Sequence, residues 1–68
     1  MKLLDARGFS CPEPVLMTKR ALESGGGPLK VTVDNKVAAG NITRFAENRK
    51  LRVTLSERGE EYDLLLEG

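Results

Sequence analysis

The chain has 68 residues, of which 40% are apolar and 31% charged, and its formal net charge is +1. A chain this short forms one domain, and its composition is that of a folded protein rather than a disordered segment. It has no histidine and a single cysteine. Within this chain, that composition excludes histidine catalysis, an internal disulfide, a CxxC redox pair and a cysteine zinc site. We therefore expect no cofactor and no metal.

Membrane and nucleic-acid functions find little support in the sequence. No apolar run approaches the roughly 20 residues that span a membrane, and polar Asp5 and Arg7 argue against an N-terminal secretion signal. The aromatic residues are Phe9, Phe45 and Tyr62, without a basic stripe around them, so stacking on bases is not indicated. We expect a cytoplasmic protein that binds neither a membrane nor a nucleic acid.

The first predicted elements are a short strand and a loop. Residues 2–5 carry Leu3 and Leu4, which favours a buried strand. Residues 6–10 form the loop, in which Gly8 supplies a flexible turn.

The cysteine stands at the predicted start of a helix, in the sequence CPEP. Proline suits the first helical position because its φ is fixed and its missing N–H has no partner there, so we place Cys11 at the N-cap and Pro12 at N1. Pro14 then lies at N3 without an N–H, which leaves the Glu13 N–H aimed at the sulfur. The helix dipole lowers the pKa of such a thiol, and the Glu13 carboxylate opposes that shift. The alternative is a buried structural thiol.

The predicted helix, residues 12–23, has two different faces. Its core face is expected to contain Pro14, Val15, Thr18, Ala21 and Leu22, with Met17 at the edge of that face. The opposite face carries Leu16 among Lys19, Arg20 and Glu23. Because this face continues from Cys11 and sets an apolar residue beside cations, we predict that Leu16, Lys19 and Arg20 dock a partner protein, together with Arg7 in the loop. A merely solvated face is the alternative.

The middle of the chain predicts a turn, a strand and a second helix. Residues 24–28 end the first helix, and residues 29–33 alternate as a half-buried strand. Asp34 or Asn35 is expected to cap the second helix, with a break at Gly40 as an open alternative. The apolar side of this helix is expected to carry Val37, Ala38, Asn41, Ile42 and Phe45.

The last residues predict a hairpin. Residues 51–56 and 61–67 alternate between apolar and polar side chains, as strands do, interrupted only by Leu65. Arg58 and Gly59 suit the tight turn between them. The order is therefore βαβαββ, and a chain of this length can cover only one sheet face with its helices. The predicted fold is an α/β two-layer sandwich, with two helices on one face of a four-stranded mixed sheet.

The stretch LDARGFSCPEPVLMTKRAL closely resembles the TusA/SirA-like sulfur carriers, whose hallmark is a CPxP motif after a short first strand. Cys11, Pro12, Glu13 and Pro14 match this motif, and the resemblance covers nearly the whole chain. It implies the same two-layer fold. It also implies that Cys11 carries sulfur as a persulfide, received from a cysteine desulfurase or another sulfurtransferase and passed to an acceptor protein, as part of a relay rather than as a stand-alone enzyme.

The second half of the chain, VTVDNKVAAGNITRFAE, is more similar to the N-terminal domain of YedF-like proteins than to the free-standing carriers. The YedF-like branch is often fused to a DsrE-like domain and is associated with selenium metabolism. Residues 1–68 are therefore expected to form one domain, either alone or within a longer fusion, with a DsrE-like domain as a candidate partner. Asn35 departs from the free-standing carriers, which commonly have an acidic residue or proline after the aspartate. A regulatory or nucleic-acid-binding α/β module with an incidental cysteine is the alternative function.

Overall fold

A computed structural model describes residues 1–10, 12–25 and 27–68. Within these residues the chain forms four strands and two helices in the order βαβαββ, which confirms the predicted α/β two-layer fold. The elements are β1 (Lys2–Asp5), α1 (Glu13–Glu23), β2 (Leu29–Val33), α2 (Lys36–Asn48), β3 (Arg52–Arg58) and β4 (Glu61–Glu67). Neither described helix is long and apolar enough to cross a membrane.

The strands form one mixed sheet in the order β1-β2-β4-β3. β1 runs parallel to β2, with Leu4 beside Val31. β4 lies antiparallel to both of its neighbours, so that Leu64 is beside Val31 on one side and Leu55 on the other. At the centre of the sheet, β2 therefore pairs with β4, which is distant from it in sequence.

The core lies between the sheet and the two helices. β2 alternates as predicted, because Leu29, Val31 and Val33 are buried while Lys30 and Thr32 are half-buried. The other fully covered apolar residues come from the first loop, from α2 and from β4: Ala6, Ala38, Ala39, Ile42, Ala46, Leu64 and Leu66. One compact apolar layer thus supports both helices.

The inward face of α1 agrees with the prediction. Pro14 and Thr18 are buried, and the half-buried side chains packed against the core include Val15, Met17, Ala21 and Leu22. The Thr18 hydroxyl donates a hydrogen bond to the Pro14 carbonyl oxygen at 2.8 Å, which satisfies a polar group that would otherwise be costly to bury.

Two apolar residues that were expected to be buried are exposed. Leu3 is 77% exposed, because successive side chains of a strand point to opposite faces and Leu4 takes the core side. Val37, in the first turn of α2, is 68% exposed. Ala38 and Ile42 of α2 are buried as predicted, and Ala39 and Ala46 complete the buried side of this helix.

The second helix is continuous, so the break considered at Gly40 does not occur. Asn35 is its N-cap, with the side-chain oxygen accepting from the Ala38 N–H at 2.7 Å. This hydrogen bond satisfies one of the free donors of the first turn. The prediction that Asp34 or Asn35 caps this helix is therefore resolved in favour of Asn35.

The hairpin turn lies one residue later than predicted. Arg58 pairs with Glu61, so the turn residues are Gly59 and Glu60. Gly59 has a φ of +63°, which an L side chain adopts only with strain and which suits the first central position of a two-residue turn.

Candidate functional site

The predicted site lies at one edge of the sheet, where both helices begin. Because β1 and β2 are parallel and each is followed by a helix, their carboxyl ends and the starts of α1 and α2 share this edge. Residues 6–10 connect β1 to α1 here. Cys11 lies outside the described residues, so its role as the reactive residue stays a prediction.

The start of α1 differs from the predicted geometry. The helix begins at Glu13 with Pro12 at the N-cap, the position that was predicted for Cys11. The Glu13 N–H donates to the Ser10 carbonyl oxygen at 2.9 Å, so the donor that we expected to face the sulfur is used in a turn of the backbone. Pro14 shifts from N3 to N2, where it again has no N–H to offer.

The loop before Cys11 is anchored to the sheet by its first residue. Ala6 is fully buried, and its N–H donates to the Thr32 carbonyl oxygen at 2.8 Å. The ladder between β1 and β2 is thereby continued one residue beyond the strand. The loop therefore leaves the sheet from a fixed point.

Arg7 is held by two carboxylates. Its Nε and Nη2 atoms donate to the two oxygens of Asp5, both at 2.9 Å, and Nη1 donates to Glu61 Oε2 at 2.9 Å. The Arg7 side chain and its backbone N–H lower the pKa of Asp5 to about 2, while the Asp5 carboxylate raises the pKa of Arg7. Arg7 was predicted to dock a partner. That role stays a prediction, and the structure shows in addition that Arg7 connects the loop to β4.

Gly8 is bound by the residue that precedes the cap of α2. Its N–H donates to Asp34 Oδ2 at 2.8 Å, across 26 positions of sequence, and its φ is +83°. The Gly8 N–H and then the Asn35 side chain lower the pKa of Asp34. The carboxylate is therefore ionised at neutral pH and accepts a charge-assisted hydrogen bond from the loop backbone.

A chain of polar contacts extends from Arg7 across the uncovered face of the sheet. Glu61 also contacts Arg58 at 3.5 Å, and Arg58 donates to Asp63 through Nε and through Nη2, the latter at 3.1 Å. Asp63 is only 5% exposed and accepts from the Thr32 hydroxyl at 2.7 Å. Arg58 first and Thr32 second lower the pKa of Asp63 to about 2.

The outer face of α1 has the arrangement that the sequence predicted. Leu16 is 37% exposed, and Lys19, Arg20 and Glu23 are exposed beside it. Among the residues that the structure describes, neither Lys19 nor Arg20 forms an ion pair. Their charges are therefore available to a partner, although the docking role itself is untested.

Sequence reasoning missed the partners of the loop. Asp34 was considered only as a helix cap, and Asp5 and Glu61 were considered only as polar residues of strands. The spacing of Asp5 and Arg7 is a local signal that could have been used, since the two residues are close in sequence and oppositely charged. The contacts made by Asp34 and Glu61 depend on the fold and have no local signal.

Comparison with known proteins supports the resemblance described above. The family model described as "Sulfurtransferase TusA" matches residues 2–68. The chain is 52% identical over 62 residues to a "Putative sulfur carrier protein" of Methanocaldococcus jannaschii, covering 88% of this chain and 83% of that protein. It is 35% identical over 49 residues to the "Putative sulfur carrier protein YrkI" of Bacillus subtilis, covering 69% of this chain and 65% of that protein.

A solved structure agrees with the fold. The crystal structure of a SirA-like protein from Desulfitobacterium hafniense has a TM-score of 0.91 to this chain at 30% identity. The match covers 97% of this chain and 95% of the other.

Proposed function

This chain belongs to the TusA sulfurtransferase family, and from that membership we propose that it is a sulfur carrier that holds sulfur on Cys11 as a persulfide. The observation that carries the proposal is the family match over residues 2–68, which includes the CPEP motif. The similar proteins of M. jannaschii and B. subtilis bear the name of sulfur carriers.

The proposed reaction needs one thiol in this chain and a persulfide on the donor. The Cys11 thiolate attacks the outer sulfur of the donor persulfide, and the bond between the two donor sulfurs breaks. A new sulfur–sulfur bond forms on Cys11, and the donor cysteine leaves as a thiolate that takes up a proton from water. There is no net oxidation. Passing the sulfur to an acceptor repeats the same exchange with Cys11 as the leaving group.

The missing histidine is compatible with this chemistry. A thiolate, rather than a thiol, is the nucleophile, and a helix start lowers the thiol pKa without a general base. The chain sets the starts of α1 and α2 at the same edge as the loop that leads to Cys11. The N-termini of both helices therefore favour a negative charge at this edge.

We assign partner docking to the outer face of α1. Leu16 offers apolar surface, and Lys19 and Arg20, which form no ion pair with the described part of the chain, favour a partner with an acidic surface. Arg7 is 47% exposed by its side chain, which leaves it able to contact the same partner while it holds the loop. The proposed partners are a cysteine desulfurase or another sulfurtransferase as donor and a downstream acceptor protein.

The test is intact mass spectrometry after incubation with a cysteine desulfurase and free cysteine. We expect a gain of one sulfur atom that a thiol reductant removes. Cys11→Ser is the matched control, because it keeps a small polar side chain and removes the only thiol. A parent chain that gains no sulfur from any desulfurase or sulfurtransferase tried, or a Cys11→Ser chain that gains as much, would contradict the proposal.

A further inference from the structure

The loop that leads to Cys11 is held on two sides. From the side of the hairpin, Glu61 binds the Arg7 side chain at 2.9 Å. From the side of α2, Asp34 binds the Gly8 N–H at 2.8 Å. The two contacts come from segments that are distant from each other and from the loop in sequence. Such a loop is fixed by the tertiary fold rather than by its own residues.

We propose that Asp34 is a positioning residue for sulfur transfer, which fixes the backbone of the loop so that the thiol three residues later meets the persulfide of a docked donor. This inference rests on the proposed function and assigns a role to a residue outside the CPxP motif. In this role Asp34 acts through Gly8 and not on the reacting atoms themselves.

The two anchors are not equivalent. Glu61 holds a flexible side chain, and Arg7 keeps its two hydrogen bonds to the Asp5 carboxylate when Glu61 is removed. Asp34 instead binds the backbone itself, at a residue whose φ of +83° needs the surrounding structure to select it. Loss of the Asp34 carboxylate therefore frees the loop backbone more than loss of Glu61 does.

Positioning has a kinetic signature that differs from docking. Reacting groups gain rate when they are held in the attacking geometry, so a loosened loop lowers the rate of transfer at a saturating concentration of this chain. The docking residues on α1 are untouched by a change at Asp34, and Arg7 keeps its hydrogen bonds to Asp5 and Glu61. We therefore expect Asp34→Ala to lower kcat for sulfur transfer about fivefold, which corresponds to about 1 kcal/mol, the typical net contribution of one hydrogen bond, with little change in KM.

The experiment measures transfer from a cysteine desulfurase to the full 68-residue chain over a range of chain concentrations, with amide hydrogen exchange at Gly8 followed by NMR. Asp34→Ala should raise the exchange rate of Gly8 at least tenfold. Asp34→Asn keeps an acceptor oxygen and should restore most of kcat and of the protection at Gly8. Ile42→Val, a substitution in the core, controls for a general loss of stability and should change neither.

The outcomes are distinct. A faster Gly8 exchange in Asp34→Ala with kcat equal to that of the parent would overturn the positioning role, and so would an equal fall of kcat in Asp34→Ala and Ile42→Val. A parent chain that accepts no sulfur would instead refute the proposed function itself. In that case Gly8 exchange would still show whether Asp34 anchors the loop, without any role in transfer.

Discussion

Leu16→Ala separates a docking residue from an ordinary surface residue. Leu16 lies on the outer face of α1 and is 37% exposed, whereas Leu64 in the core is 0% exposed. Substitution of a fully exposed surface residue usually changes stability by no more than about 0.5 kcal/mol. Because the structure covers most of Leu16, a larger effect is expected.

The magnitude follows from the covered fraction. Full burial of a leucine side chain contributes about 1.5–3 kcal/mol, and alanine retains part of the covering and is the better helix former. We therefore expect Leu16→Ala to lower the free energy of unfolding by about 1 kcal/mol. Leu64→Ala, a change at a core position, should cost about 2–5 kcal/mol. The remaining exposed third of Leu16 can contribute about 1 kcal/mol to a complex, which corresponds to about fivefold in KM.

The assay combines urea denaturation with transfer from a cysteine desulfurase. If Leu16 docks the donor, transfer slows about fivefold at low concentration of the chain and recovers at saturation, since the thiol is untouched. A loss of stability near that of Leu64→Ala would show that Leu16 belongs to the core. If Leu16→Ala lowers the free energy of unfolding by the expected amount of about 1 kcal/mol and transfer from every donor tried is unchanged, the outer face of α1 is an ordinary solvated surface and not a docking site.

Two further predictions concern stability, and urea denaturation measures both. Arg58 and a threonine hydroxyl lower the pKa of Asp63 in the folded state from 3.8 to about 2. Asp63 therefore stabilises the fold above its unfolded pKa, and this contribution is lost as the pH falls through about 2. Because Arg58 is 59% exposed, we expect the contribution to be about 1 kcal/mol. Asp63→Asn should reduce that pH dependence, and an unchanged one would contradict the assignment. A Cβ at Gly40 or at Gly59 meets no atom within 4 Å, so Gly40→Ala should stabilise α2 by roughly 0.5–1 kcal/mol and Gly59→Ala should destabilise the turn by about 1 kcal/mol. If the two substitutions change the free energy of unfolding in the same direction, backbone conformation does not explain the difference between the two glycines.

The fold was predictable because periodicity and turn residues agree along the chain. The alternation of residues 29–33 and the apolar spacing from Pro14 to Leu22 each specify one buried face, and β4 and β3 meet at a glycine turn. The prediction that Leu3 is buried was wrong, because two adjacent leucines cannot both face one side of a strand. The break that was left open at Gly40 does not occur, because the Asn35 cap and the burial of Ile42 outweigh the low helix propensity of one glycine.

The candidate site was predictable only in part. The CPEP motif marks the residue that we propose as reactive, and the outer face of α1 follows from helical geometry, so both predictions come from local sequence. The contacts of Gly8 with Asp34 and of Arg7 with Glu61 join residues 26 and 54 positions apart. Such contacts depend on how β2 and β4 are placed in the sheet, and a single sequence does not contain that information at either residue.

The charges at this edge of the sheet bear on the proposed transfer, in which one thiol would act twice. The starts of α1 and α2 each contribute a partial positive charge of roughly half a unit, while Glu13 in α1 and Asp34 before α2 contribute carboxylates. A strongly lowered thiol pKa would make Cys11 a good leaving group but a poor nucleophile, because thiolate nucleophilicity falls with pKa. A thiol that accepts sulfur attacks as the nucleophile, and the same thiol departs when it passes the sulfur on. Because the helix starts and these carboxylates act in opposite directions on a negative charge, the charge balance at this edge suits the two proposed roles better than a strongly positive edge would.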